Sequence, residues 1–273
     1  MQIKILCTRW GHENIPIEAF LEKVISAGYD GVDSWLPENK NDRKVFIKRS
    51  KELGLPIVVQ QHQAKGADIR TFCRSFEYHL NAAMECEPVI INSHSGRDFF
   101  TINEQLAIID AAENFSAGNN IAIAHETHRG RIGFSPGNAK ELFKLRPSMK
   151  VTADFSHWVC VTESYLEGFK ETVNEAIRRT VHIHARVGFP EGPQIPDPRL
   201  SEWAEPLNYF TGLWSGIIRE KEAEGISLLT ITTEFGPPPY MWTTSPGNTP
   251  VASQWEVNLF IMHLLRDIIA PQQ

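Results

Sequence analysis

Eight short runs dominated by β-branched and aliphatic residues recur from one end of this chain to the other, each followed by a stretch with helical spacing. The runs are IKILC (3–7), GVDSW (31–35), PIVVQQH (56–62), PVIINSH (88–94), NIAIAHE (120–126), KVTAD (150–154), TVHIHA (180–185) and SLLTITTE (227–234). Runs of this length and composition read as strands. Between them, Ile17, Phe20, Leu21 and Val24 keep the i, i+3, i+4, i+7 spacing of one helix face, and Gly28 supplies a stop. Thr101 to Glu104 has the form of a capping box opening a helix through Leu106 and Ile109, and Ser135-Pro136 is a cap and first-turn pair for a helix carrying Leu142 and Phe143. Eight β/α alternations without a break in composition predict an α/β protein, a single (β/α)8 TIM barrel spanning residues 1–273 as one domain. An open doubly wound sheet is the competing arrangement. It usually carries a Gly-rich first turn for a dinucleotide, whereas IKILC is followed by TRWGHEN.

A chain of 273 residues can bury a substantial core without staples, and 42% hydrophobic with 22% charged residues is ordinary for a soluble globular protein. The formal charge of −6 gives no support to non-specific binding of nucleic acid or a membrane surface. Cys7, Cys73, Cys86 and Cys160 are scattered and form no C-x-x-C pair, so reduced thiols in a cytoplasmic setting are expected. The apolar run in MQIKILCTRWGHEN is too short for a signal peptide, and no stretch reaches the ~18 apolar residues of a transmembrane helix.

Chemistry in such a barrel gathers at the C-terminal ends of the strands, and side chains alternate between its two faces. Strand 5 groups Ala122, Ala124 and Glu126 opposite Ile121, Ile123 and His125, and strand 6 sets Thr152 and Asp154 against Val151 and Ala153. Strand 7 sets Thr180, His182 and His184 against Val181 and Ile183, and strand 8 sets Thr230, Thr232 and Glu234 against Leu229 and Ile231. His62 and His94 point inward by the same alternation. Four consecutive strands therefore offer the barrel interior Glu126, Asp154, His182 and Glu234. Carboxylates converging in a confined site repel one another and shift upward in pKa unless a cation sits among them. Three carboxylates and one imidazole form a mixed O/N shell suited to Mn, Mg, Co or Zn. Taken singly, each has an ordinary alternative as a salt-bridged strand end or a core histidine.

The runs HET in strand 5, DFSH (154–157), HIH in strand 7 and TEFGPPP after strand 8 resemble, in order and spacing over essentially the whole chain, the xylose-isomerase-like barrels. That superfamily holds sugar isomerases, ketose 3-epimerases, inosose and dehydroshikimate dehydratases, and endonuclease IV. The resemblance implies a divalent metal held by Glu126, Asp154, His182 and Glu234. It also implies that His157 contacts a substrate oxygen or a second metal. His184 then either supports His182 or donates to substrate. The implied activity is isomerisation or epimerisation of a ketose or keto-polyol, with Glu126 and Glu234 as the pair that moves a proton beside the carbonyl. The same enediolate can instead expel a β-hydroxyl, which makes a dehydratase (lyase) the runner-up.

Two further readings share the site. His62 and His94 match histidines that hold additional zinc ions in endonuclease IV, a phosphodiesterase. Its Asp-Arg-His triplet, however, is Asp197-Pro198-Arg199 here, and no basic stripe for DNA is evident. A non-catalytic sugar-binding barrel would be favoured by the loss of a ligand, and none is lost. The expected partner is a small sugar or polyol, with no nucleic acid and no membrane. Trp10 and Trp35, near Arg9 and His12, are candidates to pack on sugar C–H faces, His62 and His94 to bond hydroxyls, and Arg186 and Arg199 to meet an anionic group. No Gly-rich phosphate cradle is visible. Residues 186–205 and the GPPPYMW stretch after Glu234 are the expected lid or rim. In homologous barrels such segments can also make a dimer contact, which leaves a homo-oligomer open.

Overall fold

The computed structural model describes residues 1–270, in which eight parallel strands close into a barrel in chain order. They are β1 (Gln2–Thr8), β2 (Gly31–Ser34), β3 (Ile57–Gln61), β4 (Ile90–Ser93), β5 (Ile123–Glu126), β6 (Lys150–Ala153), β7 (Thr180–Ala185) and β8 (Leu228–Thr233). Pairing of β1 with β8, from Gln2 opposite Leu228 to Cys7 opposite Thr233, completes the closure. The helices are α1 (Ile17–Ser26), α2 (Lys40–Glu52), α3 (Ile69–Ala83), α4 (Ile102–Asn119), α5 (Pro136–Leu145), α6 (Phe155–Thr162), α7 (Lys170–Arg179), α8 (Ala204–Ala223) and α9 (Gln254–Ile269). Each of the eight expected strands is present. β5 starts later than its sequence suggests, because Asn120 takes the left-handed C-cap of α4 at φ 51°. A short two-stranded hairpin, β9 (Thr243–Thr244) with β10 (Thr249–Pro250), stands on the segment between β8 and α9. Among the described residues no helix is long and apolar enough to cross a membrane.

The local signals act as their chemistry requires. Thr101 Oγ1 accepts from Glu104 N while Thr101 N donates to the Glu104 carboxylate at 2.8 Å, so two otherwise orphaned amides of α4 are satisfied. Gly28 ends α1 at φ 88°, a conformation that side-chain-bearing residues adopt only with strain. Between strands and helices lies the main core, where Ile5, Val32, Ile91, Val151, Ile183 and Ile231 meet residues such as Phe20, Phe46, Phe76, Leu142 and Ile261.

Inside the barrel the chemistry changes with height. A second apolar cluster of Leu6, Val58, Ile90 and Ala124 fills the interior, and one strand repeat further on, the same faces carry Gln60, Asn92 and Glu126. β7 departs from the expected alternation. The β6–β7 register shifts so that Thr180 pairs with Val151 and His182 with Thr152, leaving Val181 as an extra residue. Val181 consequently packs against the inner cluster rather than facing the helices, and Thr180 Oγ1 donates to Ala176 O. From His182 onward the alternation is as expected.

On the outer face of β5, His125 is fully buried with Nδ1 2.7 Å from Ser95 Oγ, and burial alone pushes its imidazole down to about 4. The unfolded chain therefore binds a proton more readily than the folded one between about pH 6.5 and 4. This contribution to stability is complete above the upper value and is lost as pH falls through that window. It amounts to about 3 kcal/mol at most. His125→Asn is expected to flatten part of the acid limb, read as urea midpoints at pH 7 and pH 5.

Candidate active site

The strand ends open onto a cavity of about 250 Å³. Trp10, Trp35 and Tyr240 supply its aromatic lining, His62, His94 and His128 its imidazoles, and Gln60, Glu126, Arg186 and Glu234 its remaining polar groups. Trp10 lies against the backbone just after Glu234, where a Cβ on Gly236 would meet its indole at 2.2 Å, which explains the glycine. The long loop is bound into the same wall. Gln194 Nε2 donates to Gly236 O, and Gly236 N donates back to Gln194 Oε1 at 2.7 Å. The loop ends earlier than its composition suggests, in a 3-10 turn at Ser201–Trp203 before α8.

Three of the four expected ligands converge, and the fourth is replaced by a neighbour. Ligand atoms of Glu126, Asp154, His184 and Glu234 all lie within 4.8 Å of one another. His182 is not in this group. It faces inward as expected but deeper, with Nε2 3.2 Å from Asp33 Oδ2 and Nδ1 2.7 Å from Thr230 Oγ1. Register explains the exchange. Thr152 pairs with His182 and Thr230 with His182, so Asp154 and Glu234, each further along its strand, stand level with residues beyond His182. His184 is the imidazole at that height.

The contacts within the group are close approaches of ionisable atoms, several of which are not closed as hydrogen bonds. His184 Nδ1 lies 2.8 Å from Glu234 Oε2 and 3.4 Å from Glu126 Oε2. Yet His184 Nδ1, Glu234 Oε2 and Glu126 Oε1 are all buried without a hydrogen-bond partner. Two ligands bonded to one metal at about 2.1 Å stand about 3.0–3.4 Å apart at octahedral or tetrahedral angles. A divalent ion therefore fits the donor set of Glu126, Asp154, His184 and Glu234.

Other groups hold these side chains in place. Asn92 Nδ2 donates to Glu126 Oε2 at 2.8 Å, and Gln60 Nε2 donates to Glu234 Oε1 at 3.1 Å. Asp154 caps α6, its Oδ1 accepting from Ser156 N and Ser156 Oγ. Asp33 Oδ2 gathers His182 Nε2, His184 Nε2 and Thr232 Oγ1, the last at 2.8 Å. Arg186 is 2% exposed, pairs with Asp154 Oδ2, and lies 3.3 Å from Glu234 Oε2 and 3.0 Å from His157 Nε2. Its guanidinium also faces Tyr240 and Trp10, at 5.0 and 5.9 Å from the ring centroids.

Electrostatics follow from this packing. Burial opposes charge on Glu126, but His94 and His184 outweigh it and hold the carboxyl well below its usual range. Burial raises Asp154 against the pull of Arg186. His184 is held well above the ordinary imidazole value, since Glu234 and Glu126 overcome the effect of burial. Asp33 falls to about 2, because hydrogen bonds from His182 and His184 exceed its desolvation. His157 is pushed well below its ordinary value by burial and by His128 and Arg186, which suits an acceptor for Arg186.

Of the remaining candidates, Trp10, Trp35, His62, His94 and Arg186 line the cavity. His157 is fully buried behind Arg186. His12 packs on Phe20 and Trp255 instead. Arg199 does not line the cavity, and its Nε and Nη2 both bond the Asp197 carboxylate. Arg199→Ala is accordingly expected to leave divalent-ion affinity unchanged and to alter stability by about 1 kcal/mol or less, checked by ion titration and thermal melting. Asp33, Gln60, Asn92, His128 and Tyr240 had not been singled out from the sequence. Signals existed for the first four: Asp33 shares its strand face with Trp35, Gln60 with His62, Asn92 with His94, and His128 with Glu126.

No family model and no curated protein matches this sequence. Solved structures do. D-allulose 3-epimerase from Methylomonas sp. superposes with a TM-score of 0.65 at 10% identity, covering 98% of this chain and 98% of that one. 3-Keto-D-glucoside 4-epimerase from E. coli gives 0.62 at 12% identity, over 97% and 100% of the respective chains. Endonuclease IV from Thermus thermophilus gives 0.59 at 10% identity, with 100% of both chains covered. The fold this chain shares with them is the closed (β/α)8 barrel. At such identities the likeness speaks for the fold alone, and what this barrel does has to come from its own side chains.

Proposed function

We propose that this protein is a divalent-metal-dependent isomerase or epimerase that moves a proton beside the carbonyl of a ketose or keto-polyol. One observation carries the reading. Three carboxylates and an imidazole bring their ligand atoms within 4.8 Å of one another, with Glu126 and Glu234 opening onto an aromatic-lined cavity of small-molecule size. That two of the structural neighbours are sugar epimerases supports it. A bound Mn, Mg, Co or Zn ion would act there as a Lewis acid toward the substrate carbonyl.

The chain's own groups divide the remaining work. Glu126 and Glu234 each have one oxygen tied to a side-chain amide, from Asn92 and Gln60, while Glu126 Oε1 and Glu234 Oε2 have no hydrogen-bond partner. Each is thus a carboxylate fixed through one oxygen with the other turned into the cluster, where Glu234 Oε2 also faces His184 and Arg186. That is what a pair exchanging a proton at one carbon requires. Trp10, Trp35 and Tyr240 offer faces to sugar C–H surfaces, and Arg186 offers donors to substrate oxygens. Asp197, the remaining carboxylate of the nuclease-like triplet, is occupied by Arg199, which weighs against the phosphodiesterase reading.

Deuterium wash-in tests the proposal. The protein, loaded in turn with Mn, Co, Mg and Zn, is incubated in heavy water with a panel of ketoses and inososes, and the sugars are read by NMR after the ion is removed. Exchange beside the carbonyl is expected, and its position and the product formed separate epimerase, isomerase and dehydratase outcomes. Product without exchange would indicate hydride transfer within an isomerase. Neither exchange nor product with any loaded form would overturn the assignment.

A further inference from the structure

We infer that Asp33 is the positioning residue of this site, fixing the proton of His184 on Nε2 so that Nδ1 is the nitrogen presented to Glu126 and Glu234. Nothing in the sequence marks a partner for the paired histidines of β7. The structure gives them the same one. Asp33 is 1% exposed, and its Oδ2 lies 3.1 Å from His184 Nε2, 3.2 Å from His182 Nε2 and 2.8 Å from Thr232 Oγ1. An ionised carboxylate only accepts hydrogen bonds, so every group facing that oxygen must bring a proton. His184 therefore carries hydrogen on Nε2, whatever the state of Nδ1.

His182 completes the arrangement from below. Its Nδ1 lies 2.7 Å from Thr230 Oγ1 and 3.0 Å from Thr230 O, and its Nε2 lies 3.2 Å from both Asp33 Oδ2 and Thr232 Oγ1, so both ring nitrogens are used. His182 is thereby engaged outside the cluster of Glu126, Asp154, His184 and Glu234. Its ring stands 5.0 Å from that of His184, at 83° between planes, so that it buttresses the shared carboxylate without competing for the carboxylate cluster. A ligating imidazole whose other nitrogen donates to a carboxylate is oriented and made more basic, and removing such an outer partner typically costs about 10–100-fold in metal affinity.

This inference takes its consequence for metal affinity from the function proposed above, but the proton position does not depend on it. The first measurement is two-bond ¹H–¹⁵N correlation on protein labelled at the histidine ring nitrogens, with no metal added. A protonated Nε2 on His184 is expected, and a His184 protonated only at Nδ1 would overturn the inference. The second is Co²⁺ and Zn²⁺ titration of Asp33→Ala and Asp33→Asn. Affinity is expected to fall by about 10–100-fold in the alanine variant, and by less in asparagine, whose amide oxygen still accepts one N–H. Wild-type affinity in Asp33→Ala would overturn the role. Should Asp33→Ala fail to fold, the wild-type spectrum still decides. Should the wild type bind no ion, the proposed function fails while the spectrum continues to test Asp33.

Discussion

Glu234→Gln is expected to abolish turnover and weaken divalent-ion retention by on the order of 100-fold while leaving the barrel folded. Loss of an outer-shell partner alone costs about 10–100-fold, and Glu234 is placed in the ligand set itself. The substitution keeps the shape but replaces one oxygen by an NH₂ group, which can neither ligate a hard cation nor take a proton. The fold has room for this change. Glu234 Oε1 meets the Gln60 amide and Oε2 meets Arg186, so the new amide can keep its oxygen toward the guanidinium and offer its NH₂ to Gln60. Gln60 then has only to turn its own amide over, presenting oxygen instead of nitrogen. Metal content after dialysis, turnover on the responsive sugar and melting temperature separate the effects. A fully active Glu234→Gln would remove Glu234 from the chemistry.

What could be read in advance, and what could not, divides along a physical line. Strand positions, caps and the inward direction of Glu126, Asp154 and Glu234 follow from periodicity and local hydrogen bonding, which neighbouring residues settle among themselves. Height within the barrel does not. His182 and His184 lie on one face and are equivalent to any pattern of period two. Only the pairing of Thr152 with His182 and of Thr232 with His184 shows which imidazole is level with the carboxylates. The extra residue at Val181 is likewise a property of two strands together. Asp33 lies in a short strand run, but its meaning depends on β7 and β8 reaching it across the barrel, 149 to 199 residues away in the chain. Arg186 is legible in the sequence only as a candidate to meet an anionic group. A loop arginine is ordinarily solvated, and nothing local indicates that this one is buried on Asp154.

Removing that guanidinium has the second large expected effect. Arg186→Gln is expected to destabilise the metal-free protein by about 3–5 kcal/mol, the usual consequence of deleting one member of a buried ion pair. In a chain of this size that is a fall of roughly 10 °C in melting temperature. The reason lies in the charge left behind. Asp154 and Glu234 share Arg186, and burial already raises Asp154. Without the cation its carboxyl rises further, so the folded variant holds a proton that the unfolded chain releases. Stability of the variant should therefore fall as pH rises from the ordinary carboxylate range through that raised value, and the deficit against wild type should narrow in acid. Arg186→Lys should recover only part of the loss, since a single ammonium cannot meet Asp154, Glu234, Ser156 and His157 with the geometry of a planar fork. A divalent ion supplies positive charge to the same carboxylates. Through linkage it should raise the melting temperature of Arg186→Gln by more than that of wild type at equal free-ion saturation of both. Urea and thermal melts with and without Zn²⁺ at two pH values measure all of this. Equal stability of Arg186→Gln and wild type would mean that the carboxylates are already neutral in the folded chain, and the case for a cation site at these strand ends would fall with it.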